Sequence, residues 1–116
     1  MIEDLKYYSG KKPKAFILNE KKYETSAWSE MAIQLFDLLY EYDSQIFENL
    51  ASMKYKNPKS PLVAKNEYDI LNRSKKLTRA EIYIEMHHNS GSFIRFMLNI
   101  LKEYGLAEKF EIIVGE

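Results

Sequence analysis

Trp28, Met31, Ala32, Leu35, Leu38, Leu39 and Tyr42 recur at the i, i+3, i+4, i+7 spacing that lines one face of a helix. Glu30, Gln34, Asp37 and Glu41 fall on or near the other side. The spacing returns in Phe93, Phe96, Met97, Ile100, Leu101 and Tyr104, with Ile94 and Leu98 widening the stripe. Between these two segments Ile82–His88 alternates with a period of two. Ile82, Ile84 and Met86 point one way, and Glu81, Tyr83, Glu85 and His87 the other, as in a strand with one covered and one partly wet face. Ala15-Phe16-Ile17-Leu18 is an apolar run of strand length. Asn19-Glu20-Lys21 suits a turn, after which Tyr23–Thr25 returns as the second strand of a hairpin. Phe110–Val114 reads as a closing strand.

Strand, polar cap and amphipathic helix thus occur twice. Lys22–Ser26 leads into Trp28–Tyr42, and Ile82–His88 with Asn89-Ser90 leads into Ser92–Tyr104. Thr25 or Ser26 can accept from the free amides of the first helix. Gly105 stands where a left-handed C-cap is wanted. The two helices end alike, in Leu38-Leu39-Tyr40-Glu41-Tyr42-Asp43 and Ile100-Leu101-Lys102-Glu103-Tyr104-Gly105. Asp43 or Ser44 can cap a short helix carrying Ile46, Phe47, Leu50 and Ala51. Leu62-Val63-Ala64 reads as a short strand and Tyr68–Asn72 as a helical turn. The order is ββα(α)–loop–βαβ. It predicts an α+β two-layer sandwich: a largely antiparallel four-stranded sheet with two main helices on one face. Leu35, Leu39, Ile84, Phe96, Met97 and Leu101 are the expected core.

At 116 residues, 46% hydrophobic and 14% aromatic, the chain is expected to be a single domain over 1–116 with one real core. Residues 1–13 read as an N-terminal arm and 53–80 as a basic loop region. The absence of cysteine excludes disulfides, thiolate metal sites and a cysteine nucleophile, and fits a reducing cytoplasm. The start, Met1-Ile2-Glu3-Asp4, lacks the layout of a signal peptide, and no apolar run approaches a membrane span. No membrane partner is therefore expected.

Net charge is zero, but the charges are sorted along the chain. Residues 20–53 hold seven acids against two lysines, whereas 54–79 hold eight Lys/Arg against two acids. Lys54, Tyr55, Lys56, Lys59, Lys65, Arg73, Lys75, Lys76 and Arg79 thus form a basic region with an aromatic inside it. Tyr83, on the wet face of its strand, can add a second aromatic, and Tyr23 a third. Cations for phosphates and aromatics for bases are what nucleic acid needs. The same region can meet an acidic protein, or a second copy of this charge-sorted chain. Ile94 and Leu98, beside the main stripe of the last helix, either widen the buried face or bury against a partner.

Lys12-Pro13-Lys14-Ala15-Phe16-Ile17-Leu18 with Tyr23 and Ser26-Ala27-Trp28 form one notable set. Ile82-Tyr83-Ile84-Glu85 followed by Asn89-Ser90 forms another. With the last helix, these stretches cover roughly two-thirds of the chain. Together they resemble a small, poorly characterised α/β domain of bacterial and phage mobile-element proteins. The resemblance implies a setting and no settled activity. His87-His88 departs from the small polar pair expected before the cap.

Enzyme signatures are missing. Ser9-Gly10-Lys11-Lys12 lacks the earlier glycine of a phosphate-binding loop, four glycines make no dinucleotide fingerprint, and no serine sits in a nucleophile elbow. His87 and His88, the only histidines, point to opposite faces of a strand. Glu85 and His87 share a face and can give two metal ligands, but no spacing recommends a third. No cofactor, metal or catalytic residue is therefore expected. The leading expectation is a non-enzymatic module of a phage or other mobile element that acts by protein–protein contact, for example as an inhibitor or accessory subunit of a bacterial defence system. The alternative is a DNA- or RNA-binding protein using residues 54–79. A metal-dependent enzyme using Glu85 and His87 is the third.

Overall fold

The computed structural model describes residue 2 and residues 4–115. Its elements, in order, are β1 (Lys12–Leu18), β2 (Lys21–Glu24), α1 (Trp28–Tyr42), α2 (Ser44–Ser52), β3 (Val63–Ala64), β4 (Ser74–Lys76), β5 (Tyr83–Glu85), α3 (Ser90–Glu103) and β6 (Phe110–Gly115). Short 3-10 turns stand at Leu5–Tyr8, Glu67–Asp69 and Ala107–Lys109. The α+β class and the antiparallel pairing are as expected. The strands, however, form two three-stranded sheets, ordered β2-β1-β6 and β3-β5-β4, in place of one sheet of four. The reason lies in the lysine-rich region, which carries two strands of its own. Positions 1 and 3 of the expected arm lie outside the described residues. The rest of that arm holds the first 3-10 turn and, from Lys12, the start of β1.

The chain groups into two compact units, residues 1–34 with 88–116, and residues 35–87. In the first, β1 is central. Ala15, Phe16, Ile17 and Leu18 face Glu24, Tyr23, Lys22 and Lys21 of β2. On the other edge, Ala15–Leu18 face Ile113–Phe110 of β6, with an irregularity at Lys14, between Pro13 and Ala15. The β1–β2 loop is Asn19-Glu20, and both residues have positive φ, 50° and 71°. Such two-residue loops match the twist of the strands they join, at the cost of a left-handed glutamate. Phe16 stacks on Tyr23 at 5.1 Å and tilts against Phe110 at 5.9 Å.

The cap expected of Asn89 at α3 is met, whereas at α1 Thr25 and Ser26 donate to Glu30 in place of accepting from helix amides. Glu30, in the first turn of α1, accepts from the Ser26 amide and the Thr25 hydroxyl, each at 3.0 Å. Asn89 Oδ1 accepts from the Ser92 amide at 2.8 Å at the start of α3. At the other end of α3, Gly105 (φ +69°) donates to Lys102 C=O at 3.1 Å and Leu106 donates to Leu101 C=O at 2.9 Å. This crossed pair defines a Schellman end. The two helices do not end alike. Asp43 takes the extended conformation and accepts from the Gln45 amide at 3.1 Å, so α1 passes directly into the capped start of α2.

In the second unit β5 is the centre strand. Val63 and Ala64 face Ile84 and Tyr83 on one side; Ser74, Lys75 and Lys76 face Glu85, Ile84 and Tyr83 on the other. Further backbone bonds prolong the ladder: Leu77 N–H to Ile82 C=O, Glu85 N–H to Leu62 C=O, and Met86 N–H to Arg73 C=O. Ile82, Ile84 and Met86 are buried, as the alternation predicts, and Glu81 and His87 are exposed, but on that second face Tyr83 is half-buried and Glu85 is buried. Phe36 meets Phe47 at 5.5 Å. The α1 stripe is broader than expected, since Ile33 and Phe36 are also buried, and it stops short of Tyr42, which is 67% exposed.

All six expected core residues are buried. Leu101→Ala should lower the unfolding free energy by about 2–5 kcal/mol, read from urea midpoints; an unchanged midpoint would mean that the site is not packed. Glu20→Gly relieves the left-handed glutamate of the hairpin loop and should gain about 1 kcal/mol in the same assay.

Candidate binding surface

The basic region begins where α2 ends. Lys54 has a φ of +54°, and the Tyr55 amide turns back to Leu50 C=O at 3.1 Å, so the chain leaves the helix sharply. The carbonyl of Tyr55 then accepts from the amides of both Leu62 and Val63. This clasps residues 55–63 into a loop at the entry to β3. At its tip, Asn57 Oδ1 accepts from the Lys59 amide at 3.0 Å, and Asn57 C=O from Ser60 at 2.9 Å. Lys56 and Lys59 are held exposed on this loop, and Tyr55 is half-buried at its base.

Half of the eight cations are already paired. Lys54 meets Asp69 at 3.8 Å, Lys65 meets Glu48 at 3.0 Å, Lys76 meets Glu81 at 3.9 Å, and Arg79 pairs with Glu41. Asp37 of α1 accepts from the Thr78 amide at 2.9 Å and its hydroxyl at 2.6 Å, fixing the chain beside Arg79. Over residues 35–87 there are eight Lys/Arg and eight Asp/Glu, so the unit is formally neutral. Lys56, Lys59, Arg73 and Lys75 have no ion pair with a described residue, and all four are exposed. Lys75 lies opposite Ile84 on β5, and Lys76 opposite Tyr83.

Tyr83 is half-buried and donates to Glu81 at 3.3 Å. Burial, then the negative charge of Glu81, holds its hydroxyl above the usual tyrosine range; Glu67 and Tyr68 add to this from the neighbouring turn. That turn carries side chains that charge and periodicity do not single out. Tyr68 is 86% exposed, Leu71 68% and Met53 62%. The Lys54–Asp69 pair, at 3.8 Å, links the residue after Met53 to the one after Tyr68. The available signal was their position: Met53 follows the last helical turn, and Tyr68 and Leu71 interrupt a polar stretch.

Ile94 and Leu98 fare differently. Ile94 is wholly buried, so it widens the core face of α3 and offers no surface. Leu98 is half-buried and borders a cavity of about 310 Å³ with Ile2, Lys102, Ala107 and Glu108. Glu85 is 6% exposed and accepts from the His87 amide at 3.1 Å. His88 packs against Phe93 and Phe96, at 4.9 and 5.4 Å between ring centres. Among the described residues, no three His, Asp or Glu side chains stand together so as to hold a metal. No helix among them is long and apolar enough to cross a membrane. No protein-family model, curated protein or solved structure matches the chain.

Glu48 anchors the helical side of this surface. It accepts from the Tyr40 hydroxyl at 2.8 Å as well as from Lys65, and these two hydrogen bonds, Tyr40's first, hold its carboxyl below the ordinary value of 4.5. A depressed folded-state value stabilises above the unfolded one and ceases to do so as pH falls through the folded value. Glu48→Gln should therefore be less stable than wild type at neutral pH, and the gap should close in acid below the ordinary glutamate range. Urea midpoints taken down that pH series check this; a gap independent of pH would remove the carboxylate from the argument.

Proposed function

We propose that this chain is a non-enzymatic binding module that recognises another protein through the surface formed by Met53–Lys59, Tyr68, Leu71, Arg73 and Lys75. The observation that carries the reading is the large exposure of Tyr68, Leu71 and Met53, with Lys54, next to Met53, already paired with Asp69, next to Tyr68. Aromatic and methionine side chains are enriched at protein interfaces, whereas charged residues are depleted from their cores. Cations engaged with carboxylates are poorer phosphate ligands than free ones, which weakens the case for nucleic acid. The partner's chemistry follows from what is left over. It presents an apolar patch to Tyr68 and Leu71, and an acidic rim to Lys56, Lys59, Arg73 and Lys75.

A phage or other mobile-element setting belongs to the same proposal and rests on the sequence resemblance alone. An inhibitor or accessory subunit of a bacterial defence system would suit it, since either acts by occupying a surface and needs no catalytic group. Nucleic acid remains the second reading, supported by the four unpaired cations of the same surface.

Native mass spectrometry of the tagged chain, purified gently from its own cells, separates the two. The expected species is a stoichiometric protein complex that persists in about 0.5 M salt, where exposed charges are well screened. Tyr68→Ser combined with Leu71→Ser should weaken it by about 2 kcal/mol or more, the scale of truncated interface anchors. Co-purifying nucleic acid would replace the protein reading if its salt slope falls by about one unit per cation on changing Lys56, Lys59, Arg73 and Lys75 to Gln.

A further inference from the structure

The two outer strands of the β2-β1-β6 sheet differ in chemistry. In β2, Lys21, Lys22 and Glu24 put charge on three of its four positions. Charged edges of this kind resist pairing with another chain. In β6, Phe110-Glu111-Ile112-Ile113-Val114-Gly115, the only charge is Glu111, and there is no proline or lysine. Lys109 C=O accepts from the Asn19 amide at 2.9 Å, towards β1. Alternation along an antiparallel strand then turns the backbone groups of Phe110, Ile112 and Val114 to the outer edge. No described residue outside β6 hydrogen-bonds to those groups. Ile2 and Tyr8 border a small cavity beside Phe110, Glu111 and Ile112, so the arm stands near the start of the strand.

We propose that the outer edge of β6 pairs antiparallel with β6 of a second copy of this chain, with Ile113 on the two-fold axis. A strand that pairs with itself satisfies the self-complementarity a two-fold dimer requires. In this register Ile112 of each copy exchanges backbone hydrogen bonds with Val114 of the other, using the outward groups furthest along from the arm. Ile113 meets Ile113, and Glu111 faces Gly115. The two sheets become one continuous sheet of six strands.

The charges select this occupant. Gly115 has no side chain, and the Lys14 side chain lies across it, where a Cβ would stand. Glu111, Ile113 and Gly115 share one face of β6, and residues directly opposite in an antiparallel pair present their side chains on the same face. Glu111 of one copy therefore meets Lys14 of the other, and the contact occurs twice by symmetry. Within one copy both residues are exposed, and neither has an ion pair with a described residue. Pairing places no glutamate opposite another glutamate.

Sedimentation velocity on the full chain over a concentration series tests the proposal, with circular dichroism confirming that each variant folds. Wild type should dimerise in a concentration-dependent way. Glu111→Lys and Lys14→Glu should each raise the dimer Kd by about tenfold or more, since each sets like charges opposite one another, and the two together should restore it towards wild type. Ile112→Pro, which removes an outward N–H and leaves the bonds to β1, should abolish the dimer. A chain monomeric at about 1 mM would overturn the proposal. So would a dimer indifferent to both single reversals, or one that the double reversal fails to rescue.

Discussion

A strand in the middle of a sheet must find hydrogen-bond partners on both of its edges, and β5 meets that demand entirely from the lysine-rich stretch that precedes it. β3 takes one edge and β4 the other, with Leu62, Arg73 and Leu77 prolonging the contact. Buried peptide groups left without partners are costly, so the burial of Ile82, Ile84 and Met86 is possible only because both edges are closed. A segment whose composition suggests a solvated loop is therefore obliged to be structural along much of its length.

That obligation explains the layout of charge. Cations brought into a folded ladder stand close to the acidic helices of the same unit. Glu41 and Glu48 answer Arg79 and Lys65, while Asp69, within the region itself, and Glu81, just beyond it, answer Lys54 and Lys76. Exposed pairs of this kind contribute little each, on the order of 0–1 kcal/mol. Their larger effect is to cancel field. Charge sorted along the sequence becomes balanced in space, and what distinguishes the surface is its apolar content more than its sign.

Much of the local structure was legible in the sequence. Gly105 ends its helix in the left-handed conformation, Asn89 caps α3, Asp43 caps α2, and Ile82, Ile84 and Met86 are buried as the alternation predicts, although Glu85 between them is buried too. The second sheet was legible only in part: Leu62-Val63-Ala64 reads as a short strand, but Ser74–Lys76 carries too few residues to show a period, and lysines at an edge look like loop. Ile94 shows a related limit: a stripe wider than one helical face can mean a partner or a deeper core, and periodicity cannot separate the two. Tyr68 and Leu71 escaped notice for the opposite reason. Apolar residues in a short polar stretch carry no period, and only the fold shows that Tyr68 and Leu71 stay exposed while Ile70 between them is buried.

The double acceptance by the Tyr55 carbonyl has a consequence for how this protein can diverge. It closes the 55–63 loop at its base, so the order of β3 does not depend on what lies at the tip. Lengthening a closed loop is inexpensive, about 0.6 kcal/mol for each doubling. Residues 56–60 can thus be rewritten, lengthened or recharged while the ladder behind them stays in register. A stretch of this kind can change its charge and shape without disturbing the strand that follows it.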